Sequence, residues 1–166
     1  DGNITSNDNY VLENKTLKNL KEDLQKRVID YFDKVICVSN SIIPYITQSW
    51  INYTETNQFH HRHFHPNSYA SGVFYIDAKK EVDSIIFYRP GGTQKTIDLN
   101  VTRYNHFNSL SWGYSVQTGD VVLFPSSLYH GVQKKKGPHT RISLSFNVFV
   151  KGTLGNKKGL TELTLG

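Results

Sequence analysis

A series of short β-type runs, beginning near residue 45 and ending at residue 150, constrains this chain more than any other feature. Residues 49–53, 69–76, 84–88, 97–104, 110–117, 120–124 and 141–150 are rich in Val, Ile, Tyr, Phe and Trp, the composition of strands on a pleated, half-buried surface. Gly91-Gly92, Thr118-Gly119 and Gly137-Pro138 separate them, and such residues mark turns. No helical pattern intervenes. The expected fold class is therefore mainly β, a sandwich or barrel-like domain.

One long helical pattern precedes the strands. Leu17, Leu20, Leu24, Tyr31 and Val35 recur at three-and-four spacing, and Val28, Ile29, Phe32 and Ile36 widen the stripe. This predicts a helix over 16–36 with one face on the β domain. Thr16 is the expected N-cap. Glu22–Lys26, Asp23–Arg27 and Asp30–Lys34 are i,i+4 pairs in the favourable order. Residues 1–13 read as a polar, loosely ordered lead-in and 152–166, with three Gly, as a tail. The expected organisation is one domain over 1–166: lead-in and helix in 1–40, β core in 41–150, tail in 151–166.

The length suffices for a core without disulfides or a structural metal, and 10 Tyr, 9 Phe and 2 Trp exclude a largely disordered chain. The single Cys, Cys37, excludes an internal disulfide framework. Set in VICVSN, it reads as a buried small hydrophobe, and a reducing, cytoplasmic setting is expected. No window approaches the ~18 apolar residues of a membrane span, so no membrane partner is expected. No signal peptide is visible, and the absence of Met places the native start ahead of residue 1.

The net charge of +5 is uneven. Residues 134–166 hold seven Lys and Arg against one Glu, whereas residues 1–133 are nearly balanced. The surplus sits in Lys134-Lys135-Lys136 and in a tail with Lys151, Lys157 and Lys158. A solvated loop is the ordinary reading of such a run. Attraction of nucleic acid or another acidic partner is the weaker one, since nothing else resembles a nucleic-acid module.

The histidines carry the chemistry. Four of the seven, His60, His61, His63 and His65, fall within six residues. In a strand, residues two apart share a face, so His63 and His65 can ligate one metal ion. His61 shares their parity and His60 falls on the opposite face. Pro66 ends regular pairing, which suits the rim of a sheet. The third ligand expected is His130, presented after the apolar strand of GDVVLFPSSLYH. Downstream, RISLSFNVFV alternates cleanly: Arg141, Ser143, Ser145 and Asn147 on one face, Ile142, Leu144, Phe146 and Val148 on the other. The polar face meets either solvent or a cavity for an acidic ligand, whose carboxylate Arg would grip with two charge-assisted hydrogen bonds.

The order H-x-H-P-N-S at 63–68, SGVFYI at 71–76, GDVVLFPSSLYH at 119–130 and R-x-S-x-S-F-N at 141–147 resembles the Fe(II)/2-oxoglutarate-dependent oxygenases, in particular a short type found in bacteria and tailed phages. The resemblance covers about residues 45–150. It implies a double-stranded β-helix, a jelly-roll with the metal between two sheets. His63, His65 and His130 would hold Fe(II). Arg141 and Ser143 would hold the far carboxylate of 2-oxoglutarate, with Asn147 as a further polar contact. Asn52 is a second polar candidate. The reaction implied is oxidation of a substrate, coupled to decarboxylation of 2-oxoglutarate to succinate.

One departure stands out. The usual triad is two His and a carboxylate, and His65 occupies the carboxylate position. Glu55 and Asp77 are the other candidate carboxylates, neither at the expected spacing. Phe74, Tyr75 and Trp112 are either core or pocket wall, and His106 and His139 read as ordinary loop histidines. Loops near 55–61, 89–96 and 104–109 are the expected substrate contacts. The substrate class stays open among protein side chains, free amino acids, nucleotides and small metabolites, and a homodimer is compatible with the sequence. Two other readings stay open. One is a cupin-like three-His metalloprotein that does not use 2-oxoglutarate. The other is a non-enzymatic β-sandwich interaction protein, which requires that the three His do not converge.

Overall fold

The computed structural model describes residues 2–91 and 99–166. Among the described residues one α-helix, α1 (Lys18–Tyr31), precedes most of the strands. The strands are β1 (Ile4–Thr5), β2 (Ile43–Thr54), β3 (His60–His63), β4 (Ala70–Asp77), β5 (Ser84–Tyr88), β6 (Ser111–Ser115), β7 (Val121–Pro125), β8 (His130–Val132), β9 (Arg141–Leu154) and β10 (Leu163–Leu165). They form two sheets. The major one runs β1-β2-β9-β4-β7, with β10 also on β9, and the minor one runs β3-β8-β5-β6. Antiparallel pairing throughout, with chain-distant strands as neighbours, makes this a double-stranded β-helix.

The alternation along β9 builds two different interiors. Leu144, Phe146, Val148 and Val150 are buried in one cluster with Ile46 of β2 and Leu24, Val28 and Phe32. The helix therefore covers the outer face of the major sheet. The opposite face of β9, with Arg141, Ser143, Ser145 and Asn147, is buried as well and looks towards the minor sheet. Between the sheets, Val73, Tyr75, Ile85, Val116 and Phe124 form a second, smaller apolar cluster.

Several expectations are corrected. Asn14, not Thr16, caps the helical segment: its side chain accepts from the backbone N–H of Thr16 at 3.0 Å. The helical stripe is narrower than its sequence suggests, since Ile29 and Val35 are exposed. Asp23–Arg27 and Asp30–Lys34 form, whereas Glu22 pairs with Lys18. After α1 the chain widens into a π-helical turn, Phe32–Ile36, and ends on Cys37 in the left-handed region (φ 56°). Cys37 is thereby exposed rather than buried.

The lead-in is not loose. It adds β1 to the sheet edge and buries Val11 and Leu12. The tail likewise returns along β9 as β10. The expected strand at 97–104 is absent over 99–104, while 97 and 98 lie outside the described residues, as does part of the expected loop at 89–96. Lys134 and Lys136 are exposed as read, but Lys135 is buried. Its Nζ donates to the Lys136 carbonyl at 3.0 Å and to His139 Nδ1 at 3.3 Å. His139 in turn donates from Nε2 to the buried Asp83 carboxylate at 2.7 Å, so it is a structural link rather than an ordinary loop histidine. Among the described residues no helix is long and apolar enough to cross a membrane.

Candidate metal centre

The cavity between the sheets is walled on one side by cross-strand layers. Trp50 of β2 lies opposite Ser145, which lies opposite Val73. Asn52 lies opposite Ser143, which lies opposite Tyr75, and Thr54 lies opposite Arg141. Partners directly opposite in a sheet share a face, so β9 brings one polar row from three strands to the same space. The other wall comes from β3 and β8, where His63 pairs with His130. All three predicted ligands line this cavity together with Arg141 and Ser143.

The three imidazoles converge. Ligand atoms of His63, His65 and His130 lie within 4.8 Å of one another. His65 Nε2 faces His130 Nε2 at 3.2 Å. Two nitrogens held about 2.1 Å from one ion at right angles would stand about 3.0 Å apart, so the spacing suits two ligands of one metal. The far nitrogens fix the tautomers. His130 Nδ1 donates to the Leu128 carbonyl at 3.0 Å and His63 Nδ1 to the His61 carbonyl at 2.8 Å. Each Nε2 is thereby left with its lone pair towards the cavity, the arrangement a metal requires. Trp50 stacks on His65 and Phe124 packs edge-on to His130, which holds both rings.

The electrostatics agree. Burial, then neighbouring imidazoles, lowers His65 to about 4. Burial lowers His130 to about 4, against the hydrogen bond to Leu128. Burial also lowers His63. The rings are neutral at pH 7, and neutral imidazole is the ligating form. Neither Glu55 nor Asp77 joins them: the metal-competent clusters among the described residues contain only histidine.

His60 departs from the parity expectation. β3 meets β8 with a register shift: His60 pairs with Val132 and His63 with His130, so two residues of β3 oppose Gly131 alone. Such a bulge turns the strand. It places His60 on the cavity side, stacked 4.3 Å from His63. Gly131 permits the close approach, since a Cβ there would meet the His60 carbonyl at 3.0 Å. Burial first, then the surrounding histidines, lowers His60 to about 3.

Arg141 is the second half of the site. It is 3% exposed. Nη2 donates to Thr54 Oγ1 at 3.0 Å, while Nε and Nη1 have no partner. Burial pulls the guanidinium pKa down and Tyr75 and Asp83 oppose this; a guanidinium stays charged regardless. A buried cation with two free donors is costly to leave unpaired, and a carboxylate of 2-oxoglutarate is a matching partner. Ser145 Oγ accepts from Asn52 Nδ2 at 3.0 Å. Asn147 lies further along β9, past Trp50 and His65, and its Oδ1 accepts from Ser71 Oγ at 3.2 Å. Tyr75 lines the cavity, Phe74 packs in the helix-side core, and Trp112 stacks with His106 on the minor sheet. Sequence reading missed Thr54 and His60, because only cross-strand register brings them in.

Residues 48–147 match the model of the family described as "Putative 2OG-Fe(II) oxygenase". The chain belongs to this family. No curated protein is similar to it in sequence at a significant level. Its fold is similar to that of an oxidoreductase of the 2OG-Fe(II) oxygenase family from Burkholderia pseudomallei (TM-score 0.58, 16% identity, covering 81% of this chain and 56% of that one). It is similar to HygX from Streptomyces hygroscopicus with iron bound (TM-score 0.57, 12% identity, 89% and 72%). It is also similar to a Pseudomonas putida prolyl-4-hydroxylase (TM-score 0.54, 10% identity, 88% and 70%). The oxygenase-family chain thus spans about half the length of the Burkholderia protein and about 70% of the other two.

Proposed function

We propose that this chain is an Fe(II)- and 2-oxoglutarate-dependent oxygenase, a hydroxylase that couples conversion of 2-oxoglutarate and O2 to succinate and CO2 with insertion of one oxygen atom into a substrate. The observation that carries the reading is the shared cavity. Three neutral imidazoles converge in it, and its wall includes buried Arg141, which carries two unpartnered donors. In this reading His63, His65 and His130 hold Fe(II), which supplies the oxidising chemistry when bound with its cosubstrate. Arg141 grips the far carboxylate, with Thr54 orienting the guanidinium and Ser143 beside it. Asn147 positions this wall through Ser71. Trp50 and Phe124 hold the ligand rings and exclude water. In this reading the enzyme works in the cytoplasm of a bacterial or phage-infected cell. HygX from Streptomyces hygroscopicus is solved with nickel, 2-oxoglutarate and hygromycin B bound, and an organic substrate beside the metal is the corresponding partner in this reading.

The test is anaerobic loading with Fe(II) and 2-oxoglutarate, admission of O2, and detection of succinate. Succinate formation that requires both Fe(II) and 2-oxoglutarate is expected. Stoichiometric metal without succinate would instead favour a cupin-like three-His metalloprotein.

A further inference from the structure

The bulge in β3 has a second consequence. It turns Arg62 outward, where its guanidinium carbon lies 4.7 Å from the Tyr88 ring centroid and 4.8 Å from that of Tyr129. An arginine held between two rings has already lost much of its side-chain freedom, and its N–H edge remains free to donate. Beside it runs a groove of about 530 Å³ whose wall includes His61, Arg62, Lys134 and Lys136, with Tyr88 and His60. Among the described residues no acidic side chain lines it. His60 and Val132 line both this groove and the metal cavity, so the two share a wall in which His60 is the polar side chain. Three formal cations around one groove exceed what a single carboxylate needs and suit a dianion.

We propose that this groove binds the phosphate group of the substrate, so that a phosphate-bearing molecule reaches past His60 towards the metal. The proposal rests on the oxygenase reading and names its substrate class. Nucleotides and sugar phosphates share this chemistry. His60 is then a specificity-determining residue at the junction.

The test is calorimetric titration of the full, metal-free chain near physiological salt with AMP, ribose 5-phosphate and adenosine. Saturable binding of AMP, ribose 5-phosphate or both is expected, with no binding of adenosine; the two phosphates tell a nucleotide from a sugar phosphate. Arg62→Gln is expected to weaken the phosphate probe by about tenfold, the worth of a charge-assisted contact. Lys134→Gln/Lys136→Gln, on exposed side chains, is expected to weaken it too and guards against misfolding of the Arg62 variant. Excess 2-oxoglutarate is expected to leave the affinity unchanged, since it belongs in the Arg141 cavity. The proposal is overturned by failure of both phosphates to bind, by equal binding of adenosine, by unchanged affinity in the folded variants, or by displacement with 2-oxoglutarate. None of these readouts needs turnover, so this test and the succinate assay fail independently.

Discussion

Along β9, Leu144, Phe146 and Val148 point into an apolar core under α1, whereas Arg141, Ser143 and Ser145 point into the cavity between the sheets. Both faces are buried. On the first, burial stabilises: Phe146 is fully enclosed and its ring fills the space above Gly72, where no Cβ would fit. On the second, burial is kept at a cost, since Arg141 holds two donors without partners and each such group costs about 1–3 kcal/mol. The same strand thus carries an apolar core on one side and a polar, cation-bearing cavity wall on the other. Stability and ligand binding are expected to separate by residue parity.

The sharpest break falls at the metal. His130→Ala removes one of the three proposed ligands, and loss of stoichiometric Fe(II) binding by anaerobic titration is expected; retained stoichiometry would remove His130 from the centre. On the apolar face, Phe146→Ala is expected to cost about 3–5 kcal/mol of folding stability in denaturant unfolding, through lost burial and the cavity left behind. Fe(II) stoichiometry below its Tm should be unchanged, and parallel loss of metal would join the two faces.

The pH dependence of the metal-free chain comes next in size. His65 and His130 sit at about 4 in the fold, against about 6.5 when exposed in the unfolded chain. As pH falls through 6.5 the unfolded state takes up protons that the folded state refuses. Their contribution is therefore fully present above about 6.5, falls as pH is lowered, and is lost by about 4. Thermal unfolding across this window is expected to show a Tm that falls with pH, with a shallower slope in His130→Ala; equal slopes would contradict the assignment. The smallest effect is Ser145→Ala, which leaves Asn52 Nδ2 without its acceptor. A loss of about 1 kcal/mol in unfolding free energy is expected, and no change would mean that water replaces the contact.

What the sequence made legible follows the regularity of each strand. β9 keeps strict alternation, so Arg141 and Ser143 could be placed on one face from residue types alone. β3 does not: its bulge is set by pairing with Gly131 on a strand some 70 residues away, and no local pattern reveals it. Strict alternation therefore puts His60 on the face away from the metal cavity, and the bulge reverses it. The convergence of His63, His65 and His130 is legible because imidazoles are chemically distinctive wherever they fall. Thr54 and Ser71 are ordinary strand residues that acquire a role only through register. The cap and the exposure of Cys37 have local reasons: Thr16 gives both its N–H and its hydroxyl to Asn14 Oδ1, and Cys37 adopts a left-handed conformation unusual for its type.

The most direct test of the shared cavity is calorimetric titration of 2-oxoglutarate into the Fe(II)-loaded chain without oxygen, wild type beside Arg141→Gln. One 2-oxoglutarate per chain is expected in the wild type. The variant is expected to keep its Fe(II) but bind 2-oxoglutarate about tenfold or more weakly, through loss of the charge-assisted clamp. Equal affinity in the two proteins would contradict the placement of 2-oxoglutarate against Arg141.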